Sequence, residues 1–380
     1  MNEIKIKALS PDNSAAIRGI VRLFNHVYGD SFPLPGVYDP EFWRAQMGRR
    51  FISLVAEDRR DIVAHLAIHT DHGSPSDTVI SLPVIDPAYR QSSQDITRAA
   101  AETVRRLART QHWRSCTGFV YEGVRAMETI PTTLLNSKEV ALLPGYLPSE
   151  PIRARGERLP HRRLFHARGS RRHALVTQRI YSGDTASSDL PLFVPTHHRE
   201  ICRILYAPLG LKRCFAADGT QREVALNQPI ELSYHRGLGA YHLFITPSLI
   251  NGPLNLEPRT WDGHKALFVY VNLHDPACPS ACGELENQGY RFCGIAPCLP
   301  TKSTVAGKAG SPTRDSIVFF KETEAYRDRA AFASPRAQML SRYIETYDIG
   351  QALDLLVPTA RLLSPDRNEP TVPRTYEARL

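Results

Sequence analysis

Three groups of residues in this chain have types and spacings that could do chemistry. The first is the stretch VIDPAYRQSSQDITRAAAETVRRLA, where an apolar run ends at Pro87, polar residues follow, and a helix starts abruptly. A helix start can hold an anion, because its first N–H groups lack partners and carry the positive end of the peptide dipoles. The usual glycine-rich approach is absent here, since Arg90-Gln91-Ser92-Ser93-Gln94-Asp95 contains no glycine. Ser92-x-x-Asp95 also reads as a variant capping box, in which side chains satisfy the end groups of the helix. The turn is therefore open to two readings, a phosphate cradle or a simply capped helix.

The second group is four cysteines, Cys278, Cys282, Cys293 and Cys298. Thiolates suit zinc and iron–sulfur centres. The spacings, however, are C-x3-C and C-x4-C rather than the tight C-x2-C knuckle, so buried thiols are expected and no metal ligand is assigned. The third is the pair His197-His198 at a helix start, which lacks a third ligand nearby in sequence. There is no Walker loop, no G-x-S-x-G elbow and no H-E-x-x-H.

The elements that must position these residues follow from periodicity. Apolar residues at Ile17, Ile20, Val21, Phe24 and Val27 form a helical stripe. A short helix is expected near 40–47. FISLVAEDRRDIVAHLAIH reads as two strands joined by a turn, and TVISLPVI as a third. A helix at 95–111, a strand near 115–121 and a helix at 132–142 complete the first half, with Tyr146 in a turn beyond. From about residue 195 a similar order returns: a helix at 198–206, strand–turn–strand in PIELSYHRGLGAYHLFITP, a strand at 266–275, a helix and strand through ACGELENQGYRFCGIAPCL, and a strand at 315–321. VAHLAIH pairs in pattern with AYHLFIT, and GYLPSEP with GYRFCGIAP. That repetition suggests two copies of one unit. A further helix is expected near 335–347.

The chain has 380 residues, 42% hydrophobic and 23% charged, which suits two globular domains. No apolar run is long enough to span a membrane and no secretory leader is visible, so a cytoplasmic protein without membrane association is expected. A net charge of +8 favours an anionic partner. Much of the excess lies in an arginine-rich connector at 153–179, but no nucleic-acid-binding motif accompanies it, and nucleic acid is not expected as the partner. Residues 180–195 read as a linker, 301–314 as a small-residue loop, and the tail from about 358 as poorly ordered.

The order of elements resembles the GNAT family of acyl-CoA-dependent N-acetyltransferases. Three pieces carry the resemblance: LFNHVYGDSFPLPGVYDPEFW, the strand–loop–helix VISLPVIDPAYR, which is similar to the family's V-x-P-x-x-R lead, and GYLPSEP, which looks like the family's LGF-x-P close. It covers about residues 14–150 and extends more weakly to 195–321. It implies an α/β (α+β mixed sheet) fold of two tandem GNAT-like lobes, each a twisted, mostly antiparallel sheet with helices on both faces. The expected division is 1–180 and 195–350, followed by a tail at 351–380.

The resemblance also implies acetyl-CoA or another acyl-CoA as cofactor, and a small-molecule or protein amine as acceptor. Laid on the family pattern Arg/Gln-x-x-Gly-x-Gly/Ala, Arg90 holds the first position, and Ser93 and Asp95 hold the two small-residue positions. The implied cofactor-binding residues are Val84, Arg90, Gln91, Ser92, Ser93, Gln94 and Asp95. Asp95 would place a carboxylate beside a diphosphate. Acyl transfer also asks for a base and for a donor to the departing thiolate. Glu57, His65, His69 and Asp77 are base candidates, with Glu57 foremost. The expected helix 132–142 lacks the family's tyrosine, so Tyr146 and Tyr121 are the candidate donors. The alternative is a non-catalytic binding or regulatory protein of the same fold that has lost the cofactor.

Overall fold

The structure is a computed structural model that describes residues 4–30, 32, 34–47, 51–71, 74–122, 135–147, 172–181, 190–216, 231–235, 240–247, 256, 266–299, 314–321 and 332–356. The fold is mixed α/β. In chain order the strands are β1 (Lys5–Ala8), β2 (Phe51–Asp58), β3 (Asp61–Asp71), β4 (Ser74–Ile85), β5 (Ser115–Tyr121), β6 (Lys138–Leu147), β7 (Arg172–Ile180), β8 (Glu231–His235), β9 (Ala240–Ile245), β10 (Ala266–Asn272), β11 (Tyr290–Leu299) and β12 (Arg314–Lys321). The helices are α1 (Ser14–Tyr28), α2 (Pro40–Gln46), α3 (Ser93–Thr110), α4 (Arg199–Tyr206), α5 (Cys278–Asn287), α6 (Pro335–Thr346) and α7 (Ile349–Leu353). Among the described residues, no helix is long and apolar enough to cross a membrane.

All twelve strands join one sheet in the order β1-β2-β3-β4-β5-β7-β6-β11-β12-β10-β9-β8. Among these described strands, β4–β5 and β9–β10 pair in parallel and the other neighbours are antiparallel. Strand alternation sends neighbouring residues to opposite faces, so each strand meets two layers. On β2, Val55 packs with Ile17, Ile20 and Phe24 of α1, while Leu54 packs with Ala101 and Val104 of α3. The apolar stripe of α1 is buried as its spacing predicts, and the Asn13 side chain caps the helix by accepting from the Ala16 N–H at 3.1 Å.

The second half of the sheet repeats the order of the first. β8-β9-β10-β12-β11 follows the same path as β3-β4-β5-β7-β6, and the two runs meet where β6 pairs with β11 at Ala141↔Gly294. The likeness extends to single residues. Both central strands carry a register shift at the residue paired across the joint, and each has a second shift around a proline. After Pro144, Gly145 has φ 60°; after Pro297, Cys298 has φ 56°. The Gly145 N–H donates to His173 Nδ1 at 3.2 Å, and the Cys298 N–H donates to Asp315 Oδ1 at 2.9 Å. His173 and Asp315 are each the second residue of their strand, and their own carbonyls accept from Glu122 and Leu273 respectively.

This register corrects the two pattern matches read from the sequence. AYHLFIT lies on β9, whose counterpart is β4, whereas VAHLAIH lies on β3. The proline of GYLPSEP that matters is not its own but Pro144 just before it, which answers to Pro297. A larger correction concerns the helix expected at 132–142. Residues 138–147 form β6, and Tyr146 lies within it rather than in a turn. A strand buried on both faces reads as a continuous apolar run, and the run VALL at 140–143, buried throughout, has no period to separate helix from strand. Residues 132–134 lie outside the described residues.

The supposed basic connector ends in a strand, since 172–180 is β7; its remainder, 153–171, lies outside the described residues, as do 182–189 of the linker, 301–313 of the loop and the tail beyond 356. Strand β1, KIKA, was not foreseen. It is a mostly exposed edge strand of four residues, whose alternation Lys5-Ile6-Lys7-Ala8 is too short to mark a strand by itself.

Candidate active site

The two parallel strand pairs differ in one respect that creates a site. β4 and β5 stay paired from Asp77↔Ser115 to Ile80↔Gly118 and then part. β9 and β10 remain paired through all six positions, from Ala240↔Ala266 to Ile245↔Val271. In the first half the parting opens a cleft lined mainly by Leu66, Ile80, Ser81, Leu82, Phe119 and Tyr121, with Cys116 and Ser137 also in its wall. In the second half the position matching Ser81 is Phe244, which stacks on Tyr270 with ring centroids 4.6 Å apart. That stack occupies the place where the first half is open.

The parting has a local cause. Between His65↔Val84 and Ala67↔Ser81 the β3–β4 register shifts, and Leu82 takes a left-handed φ of 52°. A bulge of this kind bends its strand away from the neighbour. The Leu82 carbonyl accepts from His65 Nδ1 at 3.1 Å. Since a carbonyl can only accept, the ring proton sits on Nδ1, and Nε2 accepts from Ser53 Oγ at 3.3 Å. His65 is buried against the rings of Trp43 and Phe24. Burial pushes its pKa down to about 4, outweighing the bond to Leu82. His65 therefore holds the bulge as a neutral ring, and neither nitrogen is available as a base.

Tyr121 lines the cleft, and burial pushes its phenol up to about 12. Tyr146 does not line it. Its ring stacks on Phe119 at 5.6 Å and meets His242 and Phe268 of the second half at 5.8 and 5.9 Å. It is buried between the two halves, and that burial, with Tyr121 and Tyr270 nearby, holds its pKa well above the usual value. Cys116 is likewise buried and pushed up to about 12, so it stays a thiol. His69 contacts the Ser81 hydroxyl through Nε2, and its ring lies 4.0 Å from that of Phe51. Of the base candidates whose side chains are described, His69 is thus the one linked to a cleft-lining side chain. Glu57 pairs with Lys7 of β1 and is not among the cleft residues. Asp77 lies on β4 opposite Ser115.

The turn before α3 takes a form that sequence did not suggest. Residues Pro87–Ser92 wind into a 3-10 helix with a kink at Tyr89. This winding commits N–H groups to carbonyls three residues back. The Asp86 carboxylate accepts from the Ala88 N–H at 2.8 Å, and the Tyr89 hydroxyl donates to Asp58 at 2.7 Å, tying the turn to the end of β2. The capping box is not formed. Ser92 makes no side-chain cap, and Asp95 is exposed, 3.9 Å from Arg98. Ser92 ends the 3-10 turn with φ −93° and ψ 3°, not in the extended backbone from which a capping side chain reaches the helix N–H groups. Arg90 and Gln91 lie in the 3-10 turn, whose start no glycine interrupts; the Arg90 side chain lies outside the described residues. Ser93 and Gln94 form the first turn of α3, where the Ser93 carbonyl accepts from Thr97 at 2.6 Å. Val84 lines a second hollow between the sheet and α3, together with Ile85, Ile96 and Ala100.

The four cysteines do not gather. Cys278 and Cys282 approach to 3.7 Å on one face of α5, whereas Cys298 lies near Arg213 and all four are buried. The histidine pair, in contrast, acquires a third neighbour from a distant element, Glu286 at the end of α5. No local spacing could have shown it.

No family model matches this chain, and no curated protein matches it in sequence. Among solved structures, the ribosomal-protein-S18-alanine N-acetyltransferase of Escherichia coli is 12% identical, with 46% of this chain and 92% of that one covered at a TM-score of 0.34. The ribosomal-protein-S5-alanine acetyltransferase of Vibrio fischeri is 11% identical, covering 47% and 94% with a TM-score of 0.36. An acetyltransferase of the GNAT family from Streptococcus pneumoniae is 14% identical, covering 47% and 100% with a TM-score of 0.35. Each match spans less than half of this chain and nearly all of the other. At such identities and TM-scores these likenesses decide nothing about chemistry.

Proposed function

We propose that the first half of the chain is a GNAT-like domain that transfers an acyl group from an acyl-CoA to an amine in the β4–β5 cleft. The observation that supports this reading best is the parting of two parallel strands at the Leu82 bulge, beside the start of α3. A slot between parted strands admits a narrow, extended chain such as a pantetheine arm, and its apolar lining suits a thioester. The second half, which repeats the strand order with its cleft closed, is read as a second GNAT-like lobe that covers and shapes the first.

Within the cleft, Ser81 and His69 would receive the proton of the attacking amine, since the His69–Ser81 contact leads from the cleft to a ring nitrogen. Tyr121 would face the departing sulfur. A thiol has a pKa of about 8.5, and a phenol held near 12 is the weaker acid. Tyr121 therefore stabilises the thiolate by donating a hydrogen bond rather than by surrendering its proton. The acceptor is an amine, of a small molecule or a protein.

A second reading has a specific observation behind it. The 3-10 turn at 87–92 is braced by Tyr89 and Asp58, and its wound backbone offers fewer N–H groups to a diphosphate than an open loop would. In that reading the fold has kept the cleft and lost the cofactor.

Thermal unfolding with and without acetyl-CoA separates the two. Binding raises the melting temperature once ligand exceeds its dissociation constant. The enzyme reading expects a rise that Asp95→Gly preserves or enlarges, and thiol release when amines are added. No rise with acetyl-, propionyl- or longer acyl-CoA would leave the non-catalytic reading.

A further inference from the structure

His197 and His198 close a short 3-10 turn, Thr196–His198, that leads into α4, and Glu286 stands in the last turn of α5. The fold brings them together from 88 and 89 residues apart. Glu286 Oε1 lies 2.9 Å from His198 Nε2 and 3.0 Å from His197 Nε2, and Oε2 lies 3.1 Å from His197 Nε2. One atom from each of the three side chains lies within 4.8 Å of the other two. The His198 side chain is fully buried, that of Glu286 is 22% exposed, and that of His197 is 52% exposed, so the cluster has a closed side and an open one.

Hydrogen-bond accounting on the closed side is informative. The Tyr343 hydroxyl donates to the His197 carbonyl at 3.0 Å, which uses its only proton. The same oxygen lies 2.9 Å from His198 Nδ1, so Nδ1 must donate to it. His198 is stacked on Phe292, with Phe319 and Tyr347 around it, a setting that favours a neutral ring. With Nδ1–H engaged by Tyr343, His198 turns Nε2 toward the Glu286 carboxylate and the His197 ring, so the three side chains converge on one point from two elements. A second partner fixing Nδ1–H is also the usual support of a metal-binding imidazole.

We propose that His197, His198 and Glu286 form a binding site for a divalent transition-metal cation of the zinc class. Two imidazole nitrogens and one carboxylate oxygen match zinc in donor type and number, with the open side left for water or a small anion. At bond lengths of about 2.1 Å, tetrahedral ligands stand about 3.4 Å apart; the carboxylate-to-imidazole separations of 3.0 and 2.9 Å need a slight widening, and the two ring nitrogens must draw together from within the 4.8 Å spread of the cluster. The site links the start of α4 to the end of α5 and lies outside the acyl-transfer cleft. It stands independently of the function proposed above.

The test is zinc uptake by the full chain after chelator treatment, read in competition with a metallochromic indicator. One zinc per chain and a raised melting temperature are expected. His197→Ala and Glu286→Gln should each weaken binding by roughly ten- to a hundredfold, and circular dichroism of the metal-free variants checks that they fold. Because His197 is half-exposed, its variant keeps the test usable even if changes at Glu286 disturb packing. Cobalt in place of zinc should give the ligand-field bands of nitrogen and oxygen ligands without a thiolate charge-transfer band. Uptake below one equivalent, uptake unchanged in the His197→Ala/Glu286→Gln double variant, or a thiolate band would each overturn the proposal; in the first case the cluster is a proton-sharing ion pair only.

Discussion

Ala141 and Gly294 face each other across the joint between the two half-sheets, and each stands three residues before a proline followed by a left-handed residue. Their pairing sets the separation of β6 and β11. A Cβ on Gly294 would lie 2.3 Å from Ala141 Cα and 2.5 Å from the Val140 carbonyl oxygen, and Gly294 has φ 144°. Only glycine fits there. Gly294→Ala should destabilise the protein by about 3 kcal/mol through overpacking and backbone strain. Ala141→Gly, across the same joint, should cost only about 1 kcal/mol. Urea unfolding midpoints of the two variants check the asymmetry.

The repeated motif of a strand side chain holding the amide of a left-handed residue predicts a second effect. Asp315 holds the Cys298 N–H and also pairs with Arg213, Nε to Oδ2 at 2.6 Å, with both side chains almost fully buried. Asp315→Ala leaves a buried guanidinium without its carboxylate and should cost about 3–5 kcal/mol. His173→Ala, which removes an uncharged version of the same bond, should cost less, about 1–2 kcal/mol. Chemical denaturation of both variants provides the comparison.

His65 gives the protein a pH-dependent component of stability. Its folded pKa of about 4 lies below the ordinary 6.5, so between these values the unfolded chain binds a proton that the folded chain does not. Its contribution is fully present above 6.5, falls as pH drops through that window, and levels off below about 4. The full step is about 3 kcal/mol as an upper figure. His65→Gln should lack this step, which unfolding measured at several pH values will show as a flatter profile.

The closed second cleft suggests how to close the first. Phe244 stands where the first half has Ser81, stacked on Tyr270 at the position of Phe119. Ser81→Phe should fill the cleft and abolish any acyl-CoA-induced rise in melting temperature. Secondary structure by circular dichroism should be unchanged.

For catalysis, Tyr121→Phe keeps the ring and removes only the hydroxyl. If the phenol serves the departing thiolate, kcat should fall roughly ten- to a hundredfold with little change in KM. Steady-state thiol release measures both.

The amino-acid sequence alone determined much of the architecture. The stripe of α1, the strands at 51–71 and 266–272, the helix following the polar turn and the repetition of the two halves all follow from local periodicity. Local order is what nearest-neighbour patterning encodes. It failed at β6, because a strand buried on both faces loses the alternation that marks a sheet with one face in water. It also matched the repeats in the wrong register, because the true marker is a left-handed residue after a proline, a conformation rather than a residue type: glycine in one copy and cysteine in the other.

The sites depended on the tertiary structure. The sequence offered Tyr121 and Tyr146 as alternative donors, but Tyr146 packs into the seam between the halves and Tyr121 lines the cleft. The polar turn named by its residues proved to be a wound 3-10 segment, since Tyr89 could reach Asp58 only once β2 lay alongside. His197 and His198 were visible as a pair, yet Glu286, 88 residues away from His198, became their partner only when α4 and α5 were packed against β11. Sequence records which groups a chain owns; packing decides which of them share water, a proton or an ion, because those interactions act over a few ångströms and are indifferent to chain order.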